Sequence, residues 1–207
     1  MSSRVRFASA RDVFEAFGDL RRIAAPPEDD SAPLDYARAL LSSPRPSEAV
    51  IFVAHLLPRR EAVWWAIQCV RAMLGPNADD EALRAAEAWV RAPEEDSRRA
   101  ALAAASAGDQ KAATTWLAFA AGWSGGSVTA PDADPLAAPP FACAMGANTA
   151  VMLAAAAGDP LGVTDRVKAC AEAGIRFADG GDASVSAPAQ STTTKAAVST
   201  NNSRWPG

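Results

Sequence analysis

The chain has 207 residues, 49% of them hydrophobic and 21% charged, which is enough apolar material for one sizeable core and excludes disorder throughout. Its 20 basic residues against 24 acidic ones leave a net charge of −4. The basic residues are interleaved with Asp and Glu and form no extended stripe, so a nucleic-acid partner is disfavoured.

Roughly a quarter of the residues are alanine, the best helix former, while β-branched and aromatic residues are too sparse to furnish a sheet. The expectation is an all-α fold, a bundle of about eight antiparallel helices over residues 1–177, followed by a disordered tail over 178–207. Ser9 and Asp12 form a capping pattern ahead of Val13, Phe14, Phe17 and Leu20, which share one helical face. After the proline-rich and acidic stretch 24–31, a short helix runs from Pro33 with Leu34, Ala37, Leu40 and Leu41 as its stripe. The segment 47–57 is apolar almost all round and is therefore expected at the centre. Pro58 starts the next helix, 59–74, with Ala62, Ala66, Cys69, Val70 and Met73 inward, and Gly75 and Pro76 stop it.

Asn77 or Asp79 is expected to cap a helix reaching about Ala92, with Leu83, Ala86, Trp89 and Val90 inward. Pro93 opens another, whose Glu94, Glu95 and Asp96 suit the positive end of a helix dipole. Its inner face is nearly all alanine, which permits close helix approach. Gly108 and Asp109 join it to a helix bearing Ala113, Trp116, Leu117 and Ala120. Residues 123–140 then read as a long proline-rich loop. Helix resumes near Phe141 with Met145, Thr149, Met152, Leu153 and Ala156. It stops at Gly158 and restarts at Asp159 with Leu161, Val163, Val167 and Cys170. The similar strings 104–109 and 154–159 are read as one helix-junction chemistry used twice; a short α-solenoid-like array with a period of about 50 residues is the alternative.

Little in the sequence carries catalysis. His55 is the sole histidine and lies on an apolar helix, so it reads as a core or boundary residue, and two-histidine zinc sites are excluded. Cys69, Cys143 and Cys170 are far apart and in apolar helical settings, which suits buried free thiols. Ser124-Gly125-Gly126-Ser127 lacks the lysine and strand context of a phosphate-binding loop. Acidic pairs fall in first turns of helices, where capping explains them. No catalytic, cofactor or metal residue is assigned. The longest apolar stretches, about nine residues, fall far short of the roughly 20 that a bilayer crossing needs. Asp12 and Glu15 follow Arg4, Arg6 and Arg11 too closely for a targeting segment. A cytoplasmic protein without membrane insertion is expected.

One surface stands out. On a helix, Arg60, Trp64, Gln68 and Arg71 fall at steps of four, four and three and share a face oblique to the apolar stripe. Arginine and tryptophan are the residues enriched in interface hot spots. The competing reading packs Trp64 under a neighbour with the arginines stacked on it. Trp123 in the long loop and Trp205 near the end of the tail are two further candidates for partner contact.

The strings Leu57-Pro-Arg-Arg-Glu-Ala-Val-Trp-Trp-Ala66 and Gly122-Trp-Ser-Gly-Gly-Ser127 together resemble an uncharacterised family of small all-helical bacterial proteins, over about residues 10–177. The resemblance implies an association with protein-secretion gene clusters and an accessory or adaptor role, and it brings no catalytic residues. The expected function is a non-enzymatic protein-interaction module, with another protein as partner and a homo-oligomer left open. The alternative is an enzyme or small-ligand binder with a pocket under the 123–140 loop, lined by Trp123, Ser124, Ser127 and His55.

Overall fold

The computed structural model describes residues 3–75, 78–130 and 132–186. Among these it contains nine α-helices and no strand: α1 Ala10–Ala16, α2 Pro33–Leu41, α3 Ser47–Leu56, α4 Arg59–Leu74, α5 Glu81–Arg91, α6 Glu95–Ala107, α7 Ala113–Gly122, α8 Ala142–Ala156 and α9 Val163–Ala178. The all-α expectation therefore holds.

Local chemistry explains the boundaries. Ser9 and Asp12 close a reciprocal capping box, at 3.2 and 2.9 Å, at the start of α1. The helix ends earlier than its apolar stripe suggests, because Phe17 leaves helical geometry and Gly18–Arg22 tightens into a 3-10 turn that still buries Leu20. Pro33 occupies the first turn of α2, where its missing N–H costs nothing. Asp80, rather than Asp79, caps α5 by accepting from the Leu83 amide at 2.9 Å, while Asn77 lies outside the described residues. Glu94 takes the capping position of α6, so Pro93 precedes that helix. Ahead of α9, Pro160–Gly162 forms a separate 3-10 turn and leaves Leu161 91% exposed, so Leu161 is not part of the inner stripe.

One continuous cluster of buried apolar side chains runs from Ala10 to Ala183. Eight of the ten residues of α3 are buried, as its all-round apolar sequence requires. It packs against α2, α8 and α9, while α4 packs against α7 and α8. In a repeat array each unit touches only its neighbours. Here α2 and α3 both reach α9, so the alternative of a solenoid does not describe this fold.

The long loop is held by α6. Arg98, 4% exposed, donates from Nη1 to the Gly122 carbonyl at 2.6 Å and from Nη2 to the Ser127 carbonyl at 2.8 Å. Arg99 reaches the Thr129 carbonyl at 3.0 Å, and an isolated antiparallel bridge joins Ser127 to Ala137. Past α9 the described chain turns back: the Gly181 amide donates to the Arg176 carbonyl and Ala183 is buried. The rest of the expected tail, including Trp205, lies outside the described residues.

Candidate functional site

The arginine and tryptophan face of α4 splits into two halves. Its C-terminal half is engaged with α5: Arg71 binds Glu87 through Nε at 2.7 Å and through Nη2 at 2.6 Å, and Glu87 also meets Arg91 at 3.4 Å. Gln68 beside it is half-buried. The N-terminal half opens onto a groove. Arg60 donates from Nε to the Val90 carbonyl at 2.7 Å, satisfying an acceptor in the last turn of α5, where a cation is also favoured by the dipole. One turn later Trp64 is 39% exposed, whereas the adjacent Trp65 is fully buried with its indole N–H on the Cys170 carbonyl at 3.0 Å.

The groove has two lobes that meet at Arg60 and Glu61. The first, about 370 Å³, lies between Trp64, Val90, Arg91 and Phe177 and is rimmed by Arg4. Arg4 is fixed there: its Nη1 donates to the Phe177 carbonyl at 2.5 Å and to the Gly181 carbonyl at 3.1 Å, and its guanidinium sits 4.0 Å over the Phe177 ring. The second lobe, about 440 Å³, extends past Arg59 to Arg6, Phe7 and Trp89. Five arginines thus face one glutamate on a protein whose net charge is negative. Arg91 pairs with Glu87; among the described residues Arg4, Arg6, Arg59 and Arg60 make no ion pair.

Of the other sequence candidates, Trp123 lies elsewhere and His55 is a buried part of the wall of the second lobe. Trp123 stacks on Phe119 with ring centroids 4.6 Å apart and meets Trp116 edge-on at 6.2 Å, a three-ring cluster on α7 that lines neither lobe. His55 is 6% exposed, with Nδ1 2.8 Å from the Ile51 carbonyl and its ring edge-on to Phe17. Burial lowers its pKa from the ordinary histidine value. The cavity beside it, reached by Pro140 at the end of the long loop, measures about 20 Å³, room for a single water, and Trp123, Ser124 and Ser127 do not line it. Among the described residues no group of His, Cys, Asp or Glu could hold a metal ion, and no helix is long and apolar enough to cross a membrane.

Arg4, Arg6, Phe7, Val90, Arg91 and Phe177 escape the sequence reading because they come from three distant segments. The only local signal is the alternation of Arg4 and Arg6, whose significance depends on where the segment docks.

No curated protein and no solved structure matches this chain. The contributions of α4, α5 and α9 to the groove fall within residues 36–178, which match a family of unknown function (DUF6931), while Arg4, Arg6 and Phe7 precede that stretch; the chain belongs to this family.

Proposed function

We propose that this chain is a non-enzymatic protein-binding module, an adaptor or accessory subunit, that docks a partner in the groove at the start of α4. The observation that carries the reading is Trp64. A large aromatic side chain is left 39% exposed beside its fully buried neighbour Trp65, in a groove rimmed by arginines. Exposed tryptophan flanked by arginine is the composition of interface hot spots. The setting we propose, a bacterial protein-secretion machinery, rests on the resemblance of the 57–66 and 122–127 strings. A cytoplasmic location fits three buried, unpaired thiols, which persist in a reducing compartment.

Affinity capture of the full chain from its host, read by mass spectrometry, tests this. Trp64→Ala and Arg60→Glu are each expected to remove the captured partner while the variants stay folded, with unfolding free energies lowered by about 1–3 kcal/mol. If both variants chiefly melt at lower temperature and keep the partner, the docking surface is elsewhere. Self-association seen by light scattering would instead make the second copy the partner.

A further inference from the structure

We infer that the occupant of this groove is an acidic peptide segment of another protein, anchored by an apolar side chain; the inference rests on reading the groove as a docking surface. Charge is the first argument. Arg4, Arg6, Arg59 and Arg60 converge from the N-terminal segment and α4 without a carboxylate partner among the described residues. Arg60 stands where the lobes meet. Its Nε is spent on Val90, which holds the guanidinium plane, and its terminal nitrogens make no hydrogen bond among the described residues. A fixed guanidinium with two free donors presents the fork geometry that a carboxylate accepts. Arg4 is likewise immobilised, by Phe177 and Gly181.

The apolar surface between these charges supplies the second argument. Trp64 and Val90 border one lobe and Phe7 and Trp89 the other, so a leucine or phenylalanine of the ligand gains burial while its flanking acids meet the rim. Glu61, shared by both lobes, can accept a hydrogen bond from a peptide N–H, a donor that a phosphodiester backbone does not offer. That donor favours a peptide over a nucleic acid.

Charge also sorts the occupants this chain itself offers. Residues 187–207 contain Lys195 and Arg204 and no acid, so that segment does not complement the rim. In a second copy the exposed run Glu28-Asp29-Asp30 makes one ion pair among the described residues, Asp30 with Arg11 at 3.5 Å, so self-association is a named outcome of the test, whereas the runs at 79–81 and 94–96 are in part engaged at home. Glu95 binds Arg98 and Arg99, Asp80 caps α5 and accepts from Thr114, and Asp79 pairs with Arg84.

The test is fluorescence anisotropy on the full-length chain with a labelled synthetic peptide of Glu and Asp surrounding a Leu-Phe pair. Replacing its acids by Lys, or its Leu-Phe pair by Ser, is expected to weaken binding at least about tenfold, and raising salt weakens the acidic peptide further. Arg60→Glu, Arg6→Glu and Trp64→Ala each cost about tenfold or more, while Lys111→Glu, the same charge change in the α6–α7 connection, leaves affinity unchanged. Arg6 lies in the N-terminal segment ahead of α1, so its variant separates lost binding from lost folding, with the melting curve as check. Equal binding of acidic and Lys peptides overturns the acidic ligand and leaves a docking groove. The acidic ligand is overturned in the same way if no peptide binds although host capture still depends on Trp64. Tighter binding of a single-stranded oligonucleotide, or self-association abolished by Arg60→Glu, overturns it in favour of those occupants. Loss of both peptide binding and host capture removes the docking reading as well.

Discussion

His55 shows how burial decides what a side chain can do. The residue is 6% exposed and its ring is packed edge-on against Phe17, beside a space that admits a single water; what remains exposed borders the second lobe of the groove, so it offers a ligand almost no surface. The group instead marks stability. Because burial lowers its pKa in the folded protein, the unfolded chain binds a proton more readily below the ordinary histidine value of about 6.5. Stability is therefore fully present above that pH and declines as pH falls through it toward the depressed folded value. Urea midpoints measured from about pH 7.5 down to about pH 5.5 are expected to drop, and His55→Gln is expected to flatten the slope in that window. Equal slopes in both proteins mean that the folded ring takes up its proton freely.

Helix positions were legible and helix faces less so. Prolines at 33 and 58 and glycine at 75 are local signals acting within a turn, and α2, α3 and α4 begin and end where those signals place them. In α8 the large residues Met145, Met152 and Leu153 stay partly outside, while Cys143, Ala147, Ala150 and Ala154 are buried. Hydrophobicity ranks the methionines inward. The geometry instead rewards small side chains that let α7 and α8 touch backbone to backbone. A Cβ built on Gly146 would lie 2.9 Å from the Ala120 amide nitrogen and 3.0 Å from its Cα. On a free helix surface Gly→Ala stabilises by about 1 kcal/mol. Here Gly146→Ala is expected to destabilise by about 1–3 kcal/mol, since backbone cannot yield cheaply. Gly174→Ala should do the same by pressing on Val53 and on the buried Trp65. A rise in melting temperature for either variant would mean that these helices are further apart than described. The two Gly-Asp junctions make the same point about context. Gly158 adopts a left-handed φ of +88°, whereas Gly108 is extended and is required because a Cβ would strike Thr115 at 2.5 Å. Similar strings thus serve different needs. The groove was half legible for a related reason: Arg60 and Trp64 share a helix face that spacing reveals, but Arg4 and Phe177 join them only through the close of the chain onto itself.

Across the whole molecule, the three cysteines report whether the core opens as one body. Cys69, Cys143 and Cys170 sit on α4, α8 and α9, all buried and unpaired, within the cluster that runs from α1 to beyond α9. Burial pushes the Cys143 thiol up to about 12, and burial with the neighbouring Cys170 raises Cys69 as well. Only the thiolate reacts with a disulfide reagent, so native labelling must await exposure of each sulfur. Because α4 packs on both α8 and α9, and α8 on α9, releasing one helix uncovers the others. The expected result is one labelling rate for all three thiols, slow without denaturant and rising with urea as steeply as global unfolding does. Two separately stable units would instead give distinct rates with smaller urea dependence. A faster Cys143 would identify α8, whose inner face is built from small residues that each bury little area, as the part that opens first. That outcome would also bear on docking: the groove draws on the N-terminal segment, α3, α4, α5 and α9, and because α3 and α4 both pack on α8, opening of α8 would loosen the groove as well.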